Sequence, residues 1–199
     1  MTDKPVPGTP GLAPEDAELV RQVLNGHTDA FGELVRRYQS KIYMMALYHT
    51  RQPSAAEDVV QEVFLAVYKS LGRFDQARSF TNWILKIATN HCYKAIRRRP
   101  AIPLPDRDIP VFCDPLDDQL LKERQEAVGA ALAKLPEDFR LVVWLYYFFE
   151  RSYQQIADIL EIPLHLVKIR LFRAKRSLGQ ALRQSSAIEP ELPLREVHE

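Results

Sequence analysis

Cysteine is nearly absent from this sequence of 199 residues: Cys92 and Cys113 are the only two, in different contexts and without CxxC spacing. That excludes a disulfide framework and a thiolate zinc site, and it predicts reduced thiols inside a cell. Glycine is scarce as well, at seven residues, and none forms a phosphate-cradling loop. His27, His49, His91, His165 and His198 are scattered, with no metal-ligand spacing and no nucleophile set beside a base. An enzyme is therefore not expected, nor is a metal or other cofactor. No apolar run is long enough to span a membrane, and no basic-then-apolar segment opens the chain, so the expectation is a soluble, intracellular protein. Alternating strand patterns are also missing.

What remains is an ordinary globular mixture, 46% hydrophobic and 27% charged, with a formal net charge of +1. The small net charge hides a segregation. Lys86, Lys94, Arg97, Arg98 and Arg99 occupy a stretch without acids, as do Lys168, Arg170, Arg173, Lys175, Arg176 and Arg183. Between them, residues 106–126 hold seven acids against three bases. Two basic segments around an acidic one predict two surfaces for a polyanion, separated by a spacer that polyanions repel.

Periodicity predicts an all-α chain of two small helical domains. Residues 1–13, with Pro5, Pro7 and Pro10, read as a disordered tail. A first domain is expected over 14–99, with helices opening at Pro14, near Thr28, at a capping box Ser54-Ala55-Ala56-Glu57, and near Phe80. Gly72 offers a left-handed end to the third of these. Five prolines in 100–115 forbid regular helix and predict a linker. A second domain is expected over 116–183, with 184–199 as a flexible tail. Its last two helices, the first opened by Ser152-Tyr153-Gln154-Gln155, are divided by Ile162-Pro163 and have the form of a helix-turn-helix. Val167, Leu171, Ala174 and Leu178 form an inward stripe, leaving Lys168, Arg170, Arg173, Lys175 and Arg176 facing out, where they can reach phosphates and guanine edges.

In the first domain, aromatic residues lie close to cations, the combination that single-stranded DNA requires. Trp83 and Phe80 fall on an apolar stripe and read as core; Phe74, in a loop beside Arg73 and Asp75, is the candidate for meeting a base. Asp58, Gln61 and Glu62, three or four residues apart, share one polar helix face.

Asp58-Val59-Val60-Gln61-Glu62-Val63-Phe64, Leu71-Gly72-Arg73-Phe74, and Phe80-Thr81-Asn82-Trp83 through Asn90 resemble the second region of bacterial extracytoplasmic-function (ECF) sigma factors. Ala133-Lys134-Leu135-Pro136-Glu137, Ser152 to Ala157, and Val167 to Lys175 resemble their fourth region. The matches cover roughly residues 25–99 and 118–183, in the family's order. The resemblance implies a sigma factor that binds core RNA polymerase and directs promoter recognition and melting, and it implies roles by position. Asp58, Gln61 and Glu62 correspond to the face that docks on the polymerase clamp. Phe74, Asp75, Arg78 and Asn90 correspond to a pocket for a base flipped from the −10 element, with Lys94, Arg97 and Arg98 on phosphates nearby. Lys168, Arg170, Phe172, Arg173 and Arg176 correspond to contacts with the −35 element. The implied partners are core polymerase, promoter DNA and an anti-sigma factor, with no small-molecule substrate. The implied location is the cytoplasm, where an anti-sigma factor can hold the protein at the inner membrane.

The chain departs from that pattern at the turn before the recognition helix. Leu166 and Ile169 stand where small hydroxylated residues are usual, and Glu161 places an acid there. The departures predict weakened or altered −35 recognition, or apolar surface meant for a protein. The loop Asp75 to Ser79 lacks the usual glycine. A free-standing helix-turn-helix regulator is the competing reading; it needs neither the Asp58-Gln61-Glu62 face nor the flipped-base loop.

Overall fold

A computed structural model describes residues 14–98 and 128–184; the proline-rich linker and both tails expected from the sequence lie outside the described residues. Those residues form helices and no strand. The elements are α1 (Pro14–Leu24), α2 (Asp29–Thr50), α3 (Pro53–Ser70), a 3-10 turn (Leu71–Arg73) and α4 (Phe80–Arg97). After the undescribed stretch come α5, helical over 128–133, α6 (Glu137–Val143) running into a π-helical turn (Trp144–Phe148), α7 (Tyr153–Leu160) and α8 (Leu164–Gln184).

The first four helices enclose Leu34, Ile42, Met45, Val59, Val63, Val67, Ile84, Leu85 and Ala88, all fully or almost fully buried. Asp16 ties three of them together. Buried near the start of α1, it accepts hydrogen bonds from the Tyr38 hydroxyl at 2.5 Å and from Arg37 Nη1 at 2.9 Å. The same hydroxyl lies 2.8 Å from Thr81 Oγ1 on α4. Burial and the Asp16 carboxylate push the Tyr38 phenol above its ordinary range, so it stays a donor.

Several helix ends differ from the sequence reading. α3 begins at Pro53, which sits comfortably in a first turn, so Ser54 lies inside the helix and forms no capping box. Gly72 lies within the 3-10 turn without positive φ, whereas Gly26 supplies the left-handed reversal after α1 (φ 94°). Arg51 closes α2 in the left-handed region (φ 57°), its N–H bonding to Leu47 O. A cap at Ser79, which the sequence reading did not name, is present, accepting from Asn82 N at 3.3 Å. So is the capping box at Ser152, which accepts from Gln155 N at 3.2 Å while Gln155 Oε1 accepts from Ser152 N at 2.9 Å.

The two halves are in contact. α6 and its π-helical turn pack on the end of α2, and α7 packs on α4. Trp144 meets the Tyr48 ring at 5.1 Å and stacks on Phe148 at 3.8 Å. Arg140, 3% exposed, donates to Tyr48 O at 2.8 Å, and Arg51 donates to Ala133 O. Arg151 donates to Phe149 O at 2.6 Å and reaches across to Asn82 Oδ1 at 3.3 Å. Tyr93 on α4 donates to Asp138 at 3.1 Å, and Lys86 pairs with Glu161 at 2.7 Å.

His49 is sealed into this seam at 3% exposure, near Arg140 and Arg51. Burial, reinforced by the two guanidiniums, pulls its pKa from 6.5 down to about 3, so the folded protein holds it neutral. An unfolded chain takes up that proton below about pH 6.5. The stability from this site is therefore fully present above that pH and is lost on acidification toward the folded-state value, by at most about 1.4 kcal/mol per pH unit. Urea unfolding at pH 7 and pH 5 should show wild type losing more stability than His49→Phe. Equal losses would mean that His49 is hydrated in the fold.

Candidate nucleic-acid and protein-docking surfaces

The outward face of α3 carries Asp58 and Gln61, both exposed. Glu62 beside them is half-buried and tied to α4 and its end, with Oε2 2.9 Å from His91 Nδ1 and Oε1 accepting from Arg98 Nη1 at 3.2 Å. The His91 hydrogen bond, assisted by Arg98, holds the Glu62 carboxyl below its ordinary range. Leu65 and Tyr68 continue the Asp58–Gln61 row and are among the most exposed large apolar residues described. Sequence reasoning missed them, although the helical step from Gln61 was available to find them.

The loop after the 3-10 turn corrects the reading of Phe74. Its side chain is 7% exposed and lies in the core, 5.6 Å from Phe80 and 4.9 Å from Trp83, ring centre to ring centre. The cause is local: Phe74 N bonds Leu71 O, and this turn aims the ring under the start of α4. Trp83 is only partly buried, so the aromatic nearer the surface is the one assigned to the core. Asp75 and Arg78 are exposed and paired with each other at 3.3 Å, and Asp75 Oδ1 accepts from Ala77 N. Asn90, Lys94 and Arg97 are exposed at three- and four-residue steps along α4, with Arg98 just beyond.

The second half presents α8. Val167, Leu171, Ala174 and Leu178 are buried against α6 and α7, which turns Lys168, Arg173 and Arg176 to solvent. Arg170 does not join them. Its side chain is 14% exposed and donates to Asp138 at 2.6 Å, which overturns its assignment to the outward face. Lys175 is half-buried and lies over the rings of Tyr146 and Tyr147. Phe172 (68% exposed) and Ile169 (42%) stand outward among the cations. Glu161 turns α7 into α8 with φ 54°, and its carboxylate points to Lys86 of the other half. Asn82, Asp138 and Arg151, which join the halves, carried no signal in the sequence.

These faces suit binding. Among the described residues no group of histidine, cysteine or acidic side chains could hold a metal ion. Nor is any helix there long and apolar enough to cross a membrane.

Comparison with known proteins finds two family matches, Sigma-70 region 2 over residues 34–101 and Sigma-70, region 4 over residues 125–178. The chain is 31% identical to the ECF RNA polymerase sigma factor SigW of Bacillus subtilis, over 82% of this chain and 95% of that one. It is 32% identical to the RNA polymerase sigma-H factor of Pseudomonas aeruginosa (84% and 94% covered). It is also 32% identical to the ECF RNA polymerase sigma-E factor of Escherichia coli (82% and 92%). Among solved structures it is similar to CnrH in complex with the cytosolic domain of CnrY, with TM-score 0.66 and 26% identity over 85% of this chain and 98% of that one. The fold is also that of the sigma factor RpoE from Bartonella quintana, solved with the anti-sigma factor NepR (TM-score 0.65, 21% identity, 78% and 98% covered).

The burial of Phe74 makes its own prediction. Phe74→Ala should cost about 3–5 kcal/mol, the usual range for emptying a buried phenylalanine site. Phe74→Leu should cost much less. A denaturation midpoint unmoved by Phe74→Ala would return this residue to the surface.

Proposed function

We propose how this chain works from the premise that it belongs to the ECF RNA polymerase sigma factors, as its 31–32% identity over almost the whole length of its relatives establishes. It is a sigma factor: it binds core RNA polymerase and directs promoter recognition. The observation that carries the division of labour is that one chain presents an exposed acidic-polar face on α3 together with two separate cationic faces, on α4 and α8. A free-standing repressor needs only the last of these.

In this reading residues 14–99 form the polymerase-docking and −10 domain, 100–115 the linker and 116–183 the −35 domain. Asp58, Gln61 and Glu62 dock on the polymerase clamp, and the neighbouring Leu65 and Tyr68 give that contact an apolar centre. Asp75, Arg78 and Asn90 receive a base flipped from the −10 element, while Phe74 and Phe80 support the loop from beneath. Lys94, Arg97 and Arg98 hold the adjacent phosphates. Flipping costs a few kcal/mol of stacking, returned by the pocket and the cations, so melting starts without a chemical step in this protein. Lys168, Arg173 and Arg176 meet the −35 element in its major groove. Ile169 and Phe172 lie among them, where the apolar feature the groove offers is the thymine methyl. The protein works in the cytoplasm, and an anti-sigma factor restrains it. The complex of CnrH with the cytosolic domain of CnrY supports a protein partner of that kind.

Purified core polymerase with this protein should yield discrete transcripts from genomic DNA that core alone does not make. Asp58→Arg should abolish them while leaving the melting temperature of the protein unchanged. Failure of the wild-type chain to bind core would sink the reading in favour of a stand-alone regulator.

The α8 assignment has a separate test. Replacing thymines of the selected −35 site one at a time by deoxyuridine removes only a methyl, which is worth roughly 0.8 kcal/mol when buried, or about fourfold in affinity. At one or two positions wild type should lose about that factor and Ile169→Ser should lose none. No sensitive position would place the apolar pair outside the groove.

A further inference from the structure

Three of the six large apolar side chains that stand exposed among the described residues lie on one helix, α8: Leu164, Ile169 and Phe172. That helix also has no acid in its 21 residues. Arg170 finds Asp138 on α6, but the exposed cations Lys168, Arg173 and Arg176 form no ion pair among the described residues. The outward face of α8 is therefore cationic and apolar at once. A duplex satisfies the cations, yet it offers the apolar side chains little beyond the methyl of thymine.

The chain itself supplies the complementary chemistry. α8 ends at Gln184, and residues 185–199, which lie outside the described residues, hold Glu189, Glu191, Glu196 and Glu199 against Arg195 alone. Among these acids stand Ile188, Leu192, Leu194 and Val197. Acids and apolar side chains are interspersed there as cations and apolar side chains are on α8. Pro190 and Pro193 oppose a continuing helix and favour extended backbone.

Length and register fit as well. The 15 residues of 185–199 reach about 46 Å at about 3.1 Å each in extended backbone, whereas α8 is about 32 Å long. Each extended residue thus passes about two residues of helix. With Ser185 and Ser186 spent on reversing direction, a segment returning along α8 brings Glu189 and Glu191 level with Arg176 and Arg173. Leu192 and Leu194 then fall level with Phe172 and with Lys168 and Ile169. Tethering holds the segment at an effective concentration in the millimolar range, so contacts too weak to retain a free peptide suffice.

We propose, on the reading of α8 as the −35 helix, that residues 185–199 dock on its outward face in the free chain as an acidic and apolar stand-in for the duplex. DNA and the segment then compete for Lys168, Arg173 and Arg176. The competition favours sites whose thymines replace the contacts made to Ile169 and Phe172.

The test compares two full-length chains, wild type and one carrying Glu189→Gln, Glu191→Gln, Glu196→Gln and Glu199→Gln. Both are titrated with a duplex holding the −35 site of a promoter that this protein transcribes with core polymerase. At low salt the variant should bind about threefold more tightly, the factor that follows if two thirds of the free chain is docked. The gap should close as salt screens the charges. Equal affinity would overturn the docking. So would a gain seen instead on neutralising Asp106, Asp108, Asp114, Asp117 and Asp118, which would make the linker the occupant. A second measurement needs no DNA. The full chain with Cys113→Ser and Arg195→Cys takes a spin label on the new thiol, since Cys92 is buried. The label should broaden the backbone amide signals around Lys168 more than those of α3, and the difference should vanish at high salt. Equal broadening of the two would overturn the docking. Selective broadening from a chain that binds no duplex in either form would uphold the docking and overturn the −35 reading of α8 instead.

Discussion

Arg140 is the constraint around which the two halves are organised. A guanidinium taken out of water costs several kcal/mol unless its donors find oxygen, and here one donor finds Tyr48 O at the end of α2. Burial, with the repulsion of Arg51 beside it, pulls its pKa down to about 10, so at neutral pH it still carries its charge. Its charge is favoured by Glu137 on its own helix, while its hydrogen bond goes to the first half. The Trp144 ring then fills the space against Tyr48, and the π-helical turn sets the stack of Trp144 on Phe148. A π-turn inside a helix frequently marks a functional site, and here it falls at the contact between the two halves.

The same economy of charge recurs at the surfaces assigned to DNA. Arg98, beside the face proposed for the −10 element, pairs with Glu62 of the face proposed for docking, and Arg170 of α8 pairs with Asp138. In each case a cation that phosphate would attract already has a carboxylate partner in the free chain. The Arg98–Glu62 pair is exposed enough to be worth little by itself, which makes it easy to exchange, whereas the Arg170 side chain is only 14% exposed. A clamp surface that attracts Glu62 leaves Arg98 without its partner, next to Lys94 and Arg97. On the proposed assignments, docking and DNA binding share one carboxylate rather than a long relay of packed side chains.

Much of this was legible in the sequence because helices announce themselves through period and caps. The inward stripe of α8 and the capping box at Ser152 follow from local chemistry, and the structure has them. Phe74 was misread because a loop position between charged residues looks exposed; whether it is exposed depends on where the turn from Leu71 aims the ring, which is a matter of tertiary packing. Arg170 was misread for the same reason: the helical stripe says which side faces the core but not that Asp138 waits beside it on α6. The seam carried no signal at all. Its members are ordinary surface residue types (Asn82, Lys86, Asp138, Arg151, Glu161), and only their convergence from both halves gives them meaning.

Glu161 shows how that convergence changes the sense of a residue. As sequence it is an acid set at the turn of a DNA-binding motif, where it repels phosphate. In the fold it takes the left-handed position that joins α7 to α8, and its carboxylate reaches Lys86 on the other half. A residue unhelpful to DNA binding is thereby useful to the contact between the halves. The motif's affinity for DNA then rests more heavily on Lys168, Arg173, Arg176 and the apolar pair Ile169 and Phe172. On the proposed assignments, a −35 reader that depends on a few methyl contacts and cations binds weakly by itself, and docking through α3 supplies the rest.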